Sequence, residues 1–330
     1  MRIGLFCTYE NPTGDYGRCF DVQTRLIRHA EAIGCEEAWI AEHHFDDDAV
    51  SPSILAMLAH LAGVTTRIRL GSAAVLLAFR NPIQVAEDVA TIDVLSHGRF
   101  DFGVAKGGPF PAQNEHFHVA SDETRDRALE SLELILRLFA EERVTFSGRY
   151  YEVRDLTLCP KPVQEPLPVW LATSTPDAIV HAARHGFGIM SASLSPVAKV
   201  AEAAAAYRAA APGGDPRLAL ARFYYVARTR EEALAEALPF ITRFADRMRG
   251  IFLAQNRAAA FDPADIIDRS LIGSHDDVAE KIIDIQRRVA PRSLLLKPAT
   301  ADEGRAMQAL EDYVSELLPR IEGEAQGAGA

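Results

Sequence analysis

Apolar, β-branched stretches and amphipathic stretches alternate along nearly all of this 330-residue chain. Ile3 to Cys7, Ala38 to Ala41, Ile68 to Leu77 and Phe100 to Val104 read as strands, as do Val169 to Thr173, Phe187 to Ala192, Leu218 to Ala227 and Ser293 to Lys297. Helical periods fall between them. Cys19 to Gly34, Pro52 to Gly63 with Ser51 as cap, Pro82 to Leu95 and a long helix capped by Ser121 cover the first half. Pro176 to His185, Pro196 to Ala211, a helix from Glu231 and a closing one from Glu303 to Ile321 cover the second. Strict alternation requires parallel strands, because each crossover returns to the same edge. Eight such units in one chain of this length favour a closed (β/α)8 TIM barrel over a doubly wound sheet, and neither a Gly-x-Gly-x-x-Gly turn nor a Walker loop is present.

Two segments break the rhythm. Residues 145–168, with a hairpin pattern at Phe146 to Tyr151 and then four prolines, read as an excursion after the fourth helix. Residues 250–274 read as an irregular, candidate lid segment before the eighth strand. The expectation is one barrel domain over 1–322 and a disordered Gly/Ala-rich tail over 323–330.

Composition narrows the partners. Lys plus Arg total 35 against 46 Asp plus Glu, a net charge of -11, which argues against nucleic acid or an anionic membrane as the main partner. The longest fully apolar run, Ala73 to Phe79, falls far short of the ~18 residues of a membrane span. The opening residues turn polar by Glu10, so no leader is expected. Cys7, Cys19, Cys35 and Cys159 lie far apart with no Cys-x-x-Cys pair, as in a reduced, cytoplasmic protein.

In a barrel, chemistry gathers at the carboxyl ends of the strands. That places Glu42, His43 and His44 after the second strand, and Ala73 to Leu77 in the third. Lys106-Gly107-Gly108 follows the fourth, Thr173-Ser174-Thr175 the fifth, and Met190-Ser191 closes the sixth. Adjacent histidines beside Asp46, Asp47 and Asp48 invite a metal reading, but neighbours in a strand point to opposite faces and rarely share an ion. No metal is expected. One histidine faces the mouth as a general acid, base or hydrogen-bond donor, and the other packs behind the strand. Pro176 fits a first helical turn, so the N–H groups after Thr173-Ser174-Thr175 form either an ordinary capped end or an anion site. Lys106 adds a cation nearby, or is simply a surface lysine.

Six stretches, in order, resemble the bacterial luciferase-like flavin monooxygenases. They are Ala41-Glu42-His43-His44-Phe45, Gly71 to Leu77, Asn81-Pro82 to Asp88, Leu95 to Phe100, Phe146 to Tyr151, and Pro160-Lys161-Pro162-Val163-Gln164 to Pro168. The resemblance reaches to about Gly188. It implies a (β/α)8 barrel that binds FMN as FMNH2, supplied by a separate NAD(P)H:flavin reductase. Oxygen would add at flavin C4a as a peroxide and then oxidise an organic carbonyl or aromatic small molecule. A cytoplasmic homodimer is also implied.

By the same matching His43 takes the family's catalytic position, with His44 beside it. Ala73-Ala74 matches a cis peptide against the flavin ring, and Glu42 belongs to the same signature. Lys106 with Gly107, and Thr173, Ser174 and Thr175, match phosphate contacts, while Met190 and Ser191 fall near the ring edge. Ala105 replaces a reactive cysteine, so light emission is not implied. Thr173 replaces an acidic residue and Asp177 a hydroxyl residue. A deazaflavin (F420)-dependent oxidoreductase, a non-catalytic flavin-binding relative and a metal hydrolase on the same barrel are the alternatives.

Overall fold

The computed structural model of the chain describes residues 1–108, 110–211, 216–256 and 261–321. The tail at 323–330 lies outside the described residues. Its strands are β1 (Arg2–Cys7), β2 (Glu37–Ile40), β3 (Arg69–Ser72), β4 (Val75–Leu76), β5 (Phe100–Ala105), β6 (Val144–Ser147), β7 (Glu152–Leu156), β8 (Val169–Ala172), β9 (Gly188–Ser191), β10 (Leu218–Ala227), β11 (Leu271–Ser274) and β12 (Ser293–Pro298). The helices are α1 (Tyr16–Ala32), α2 (Ile54–Val64), α3 (Pro82–Leu95), α4 (Pro111–His116), α5 (Thr124–Ala140), α6 (Pro176–Arg184), α7 (Val197–Ala210), α8 (Arg230–Leu253), α9 (Pro263–Asp268), α10 (His275–Arg288) and α11 (Glu303–Asp312). Eight parallel strands close in the order β1-β2-β3-β5-β8-β9-β10-β12 and back to β1. All eight strands read from the sequence are therefore barrel staves. No described helix is long and apolar enough to cross a membrane.

Small and large residues interlock inside the barrel. Trp39 and Trp170, both nearly fully buried, meet edge-on with ring centroids 5.2 Å apart. Each indole sits opposite a glycine on the next strand, Trp39 beside Gly71 and Trp170 beside Gly188. A Cβ at Gly71 would lie 2.3 Å from the Trp39 ring, and one at Gly188 2.1 Å from the Trp170 ring. The two indole N–H groups donate to Glu37 (2.9 Å) and Asp101 (3.1 Å), which also take Arg2 (3.0 Å) and Arg69 (2.6 Å). A buried indole donor without such a partner costs roughly 1–3 kcal/mol. These pairs tie the two indoles to residues near the amino-terminal ends of β2, β3 and β5.

The excursion holds the expected hairpin, β6 against β7, whose turn is fixed by Glu130 accepting the N–H groups of Arg149, Tyr150 and Tyr151. Fully buried Asp93 on α3 accepts from the backbone of Val163 and Gln164 and ties the proline stretch down.

Two expected caps are corrected. Ser51 does not cap α2: its carbonyl accepts the His43 N–H at 3.2 Å, so its backbone anchors the β2 loop and the helix starts after Ser53. Ser121 likewise offers its carbonyl to the Thr124 hydroxyl, and α5 begins there.

Residues 250–274 are also more regular than expected. They contain the end of α8, all of α9 and strand β11, while 257–260 lie outside the described residues. β11 pairs parallel with Tyr224–Ala227, the carboxyl end of β10. Its four residues, Leu-Ile-Gly-Ser, are too few to show alternation, which hid it. Because β11 restarts near the top of β10, the return crossover is α10, and α8 stays at the mouth. There Arg243 and Arg247 pair with Asp48 and Asp46 of the β2 loop, and Glu236 pairs with Arg305 and accepts from Thr300 beyond β12. Through these pairs α8, which begins at Arg230, is tied to the loops at the mouth.

Candidate active site

The residues singled out from the sequence fall on five consecutive staves, β2, β3, β5, β8 and β9, as one arc along the carboxyl rim. His43 follows β2, Ala73-Ala74 follows β3, and Lys106-Gly107 follows β5. Thr173 to Thr175 follow β8, and Met190-Ser191 end β9. The Ala73-Ala74 peptide is cis, and the Ala73 N–H donates to the Ile40 carbonyl at 2.6 Å.

Strand alternation puts Ala41, Ala73, Ala105 and Ala172 on the inward positions two residues beyond Trp39, Gly71, Gly103 and Trp170. On these four staves the top inner layer is therefore made of methyl groups, and Met190 stands at the same level on β9. Ala73 and Ala105 are half-buried and Ala172 is exposed, so a flat surface faces the opening.

Glu42 has a different place. Its side chain is fully buried, with its oxygens taken by Arg80 (3.0 and 3.1 Å), His44 (2.7 Å) and the Leu76 N–H (3.3 Å). It braces the chain just past the cis peptide and does not face the opening. His44, on the same side of the strand as Glu42, is held in that pair and packs against Phe117, centroids 4.9 Å apart. The two histidines therefore separate as the pleat requires, with His43 at the mouth.

His43 is the most perturbed group there. Burial, then the positive charges of Arg247 and Lys297, pull its pKa down to about 4, against a weaker opposing pull from Glu10. Its imidazole is neutral at neutral pH, with one ring nitrogen a donor and the other an acceptor. Phe110 stands edge-on to it, centroids 6.1 Å apart.

At the far end of the arc, Thr175 precedes α6, whose amino terminus takes no side-chain cap. Thr175 is instead bound to Thr173, hydroxyl to hydroxyl at 3.2 Å. Ser174 is exposed beside them, and Lys106 is exposed with no ion-pair partner among the described residues. Met190 is level with Ala172 in the sheet register and only 8 % exposed, its side chain packed inward with Trp170 and Ala219, while Ser191 is the half-buried last residue of the strand. The aspartates beside the histidines are engaged: Asp46 with Arg247 and the N–H groups of Asp48 and Ala49, Asp47 with Tyr16, and Asp48 with Arg243. Among the described residues no three His, Cys, Asp or Glu side chains are grouped to hold a metal ion.

The opposite side of the mouth escaped the sequence reading. Lys297 of β12, 5 % exposed, is paired with Glu10 at 2.6 Å and lies over the rings of Phe223, Phe244 and Phe240 at 4.8, 5.2 and 5.9 Å. Burial raises the Glu10 carboxyl, but Lys297, the Thr8 hydroxyl and Arg247 outweigh it and hold the pKa below the usual carboxylate value. A lysine inside an apolar strand run was the available signal, together with the Phe-x-x-x-Phe-x-x-Arg spacing on α8.

The luciferase-like monooxygenase family profile matches residues 1–291. The 4-hydroxyprotoasukamycin monooxygenase of Streptomyces nodosus subsp. asukaensis is 29% identical over 100% of this chain and 95% of its own. The solved structure of the monooxygenase RslO1 from Streptomyces bottropensis superposes with a TM-score of 0.85 at 28% identity, covering 97% of this chain and 99% of that one. An F420-dependent glucose-6-phosphate dehydrogenase of Kineococcus radiotolerans is 36% identical over 169 residues, 48% of each chain. With this and several other curated relatives the chain aligns over about half of their length. From its first strand to its last crossover helix, this chain belongs to the luciferase-like monooxygenase family of oxidoreductases.

Proposed function

We propose that the chain is the oxygenase of a two-component FMNH2-dependent monooxygenase, acting on an organic carbonyl or aromatic substrate with FMNH2 from a separate NAD(P)H:flavin reductase. One observation carries the reading: the methyl-floored arc runs from a neutral imidazole at one end to an uncapped helix terminus at the other. A flavin needs such a flat floor for its ring and an anion site for its phosphate. Ala73, Ala74 and Ala105 would support the ring. Thr173, Ser174, Thr175, the first N–H groups of α6, Lys106 and the approachable backbone at Gly107 would hold the phosphate, and Ser191 would stand at the ring edge.

Bound reduced flavin supplies the electrons with which dioxygen is split, one oxygen atom entering the substrate and the other leaving as water. The chain's own part is placement and proton control. Glu42 is a positioning residue: it holds Leu76, Arg80 and His44 and so fixes the Ala73-Ala74 support. His43 donates a hydrogen bond or moves a proton at a ring nitrogen, which a neutral imidazole can do in either direction. Phe110 and α8 keep bulk water from that nitrogen.

Anaerobic equilibrium titration separates the cofactors. FMNH2 is expected to bind at least tenfold more tightly than reduced F420, and Lys106→Ala to weaken FMNH2 by about tenfold, the loss of one charge-assisted phosphate contact. The reverse preference assigns the chain to the deazaflavin-dependent branch. Tight FMN binding without oxygen consumption in the presence of any substrate would make it a flavin-binding relative.

A further inference from the structure

The barrel mouth has two unlike halves. One is the methyl-floored arc; the other is a cavity of about 460 Å³ between α8, the β1 loop and the start of α11. Its apolar walls are Pro12, Ala235, Pro239, Phe240, Phe244 and Ala301. Two of its lining residues, Glu10 and Arg247, are among the charges that act on His43, although His43 itself does not line it.

The charges around this cavity decide what fits it. Arg243 is paired with Asp48, Arg247 with Asp46, Arg305 with Glu236, and Glu10 with Lys297. Asp302 caps α11 by accepting from the Arg305 N–H at 2.9 Å. Every charged side chain lining the cavity thus has a partner within the chain, and of their buried polar atoms Arg247 Nε is left without one, a donor that a neutral carbonyl or hydroxyl oxygen could meet. An anionic or cationic ligand would have to break one of these pairs and leave its partner uncompensated. A neutral molecule disturbs none of them and covers the proline and phenylalanine walls.

We infer that this cavity holds the organic substrate, and that the substrate is a neutral, ring-containing molecule. Its size suits a drug-sized organic ligand. The walls favour a flat or bicyclic apolar body, with Phe240 and Phe244 offering ring faces and edges. The paired charges at the rim leave polar atoms within reach of a carbonyl or hydroxyl. The inference rests on the monooxygenase reading for the word substrate, while occupancy of the cavity stands apart from it.

The test uses the full chain without flavin and 2-naphthol, a neutral fluorescent bicycle, as the probe. Wild-type protein is expected to bind 2-naphthol saturably and to bind the anion 2-naphthoate at least tenfold more weakly. Ala235→Trp places an indole in the cavity from an exposed helical position, and Ala301→Trp does so from the opposite wall. Either variant is expected to weaken 2-naphthol at least tenfold while FMNH2 affinity stays within a factor of two. Unchanged 2-naphthol binding in both variants, no saturable binding by wild type, or tighter binding of 2-naphthoate would overturn the assignment. Retained 2-naphthol binding in a protein that fails to bind FMNH2 would leave the cavity assigned and remove the monooxygenase reading instead.

Discussion

His43→Ala is expected to lower turnover with a productive substrate by roughly 10²–10⁴-fold, the usual worth of a positioned proton-transfer group. FMNH2 affinity should change by no more than about threefold, because the arc that would hold the cofactor does not depend on this ring. The effect should appear in kcat more than in KM. The pH profile adds a second signature. The His43 pKa is depressed to about 4 by burial and by Arg247 and Lys297, so the neutral ring persists as pH falls until that value is approached. Wild-type kcat should therefore show no His43-linked decline between about pH 6 and 8, the region in which an ordinary histidine titrates.

The same shift bears on stability. Unfolded chain takes up a proton near the ordinary histidine value, and the folded ring takes it up only near 4. The stabilising contribution of the neutral ring is present above the ordinary value and is lost as pH falls from there towards 4. An acid-side decline in Tm across that window should shrink in His43→Ala. A His43→Ala enzyme with full turnover would remove the imidazole from the chemistry.

Gly188→Ala is expected to destabilise the barrel by about 3 kcal/mol or more, at the upper end of overpacking costs. The added methyl would lie 2.1 Å from the Trp170 ring, and that ring has nowhere to go. It is wedged against Trp39 and pinned by its N–H to Asp101. In a thermal melt the variant should lose several degrees in Tm. Trp170→Leu in the same chain should recover part of the loss, since neighbouring sites that clash couple non-additively. Gly250→Ala is the control, because nothing lies within 4 Å of its Cβ. A Gly188→Ala protein as stable as wild type would mean that the Gly/Trp interlock does not set the barrel's packing.

Much of this was legible from residue order alone. The eight staves showed because each is a short apolar run between helical periods, and parallel closure follows from that alternation. The arc along the rim showed because a barrel puts the residue after each strand at the rim, so His43, Ala73, Lys106 and Thr173 are found by counting. What stayed hidden depends on contacts between distant parts of the chain. Glu42 reads like a rim residue and is buried because Arg80, 38 positions later, comes back to it. Met190 reads like a rim residue and packs inward because Gly103 opposite leaves it room. α8 reads like a return crossover, and only the four-residue strand β11 beyond it shows that it stays on top. Lys297 reads as a strand residue of no note until Glu10 and three phenylalanine rings, contributed by β10 and α8, gather round it.

The central claim is that this barrel binds reduced FMN and controls its reaction with oxygen. It is tested most directly by loading the protein with FMNH2 without air, mixing it with air-saturated buffer and following the flavin spectrum in time. The expected record is a distinct phase, slow beside free FMNH2, between loss of the reduced spectrum and appearance of oxidised FMN. Reoxidation at the free-flavin rate, with no tight binding of FMNH2 beforehand, would contradict it.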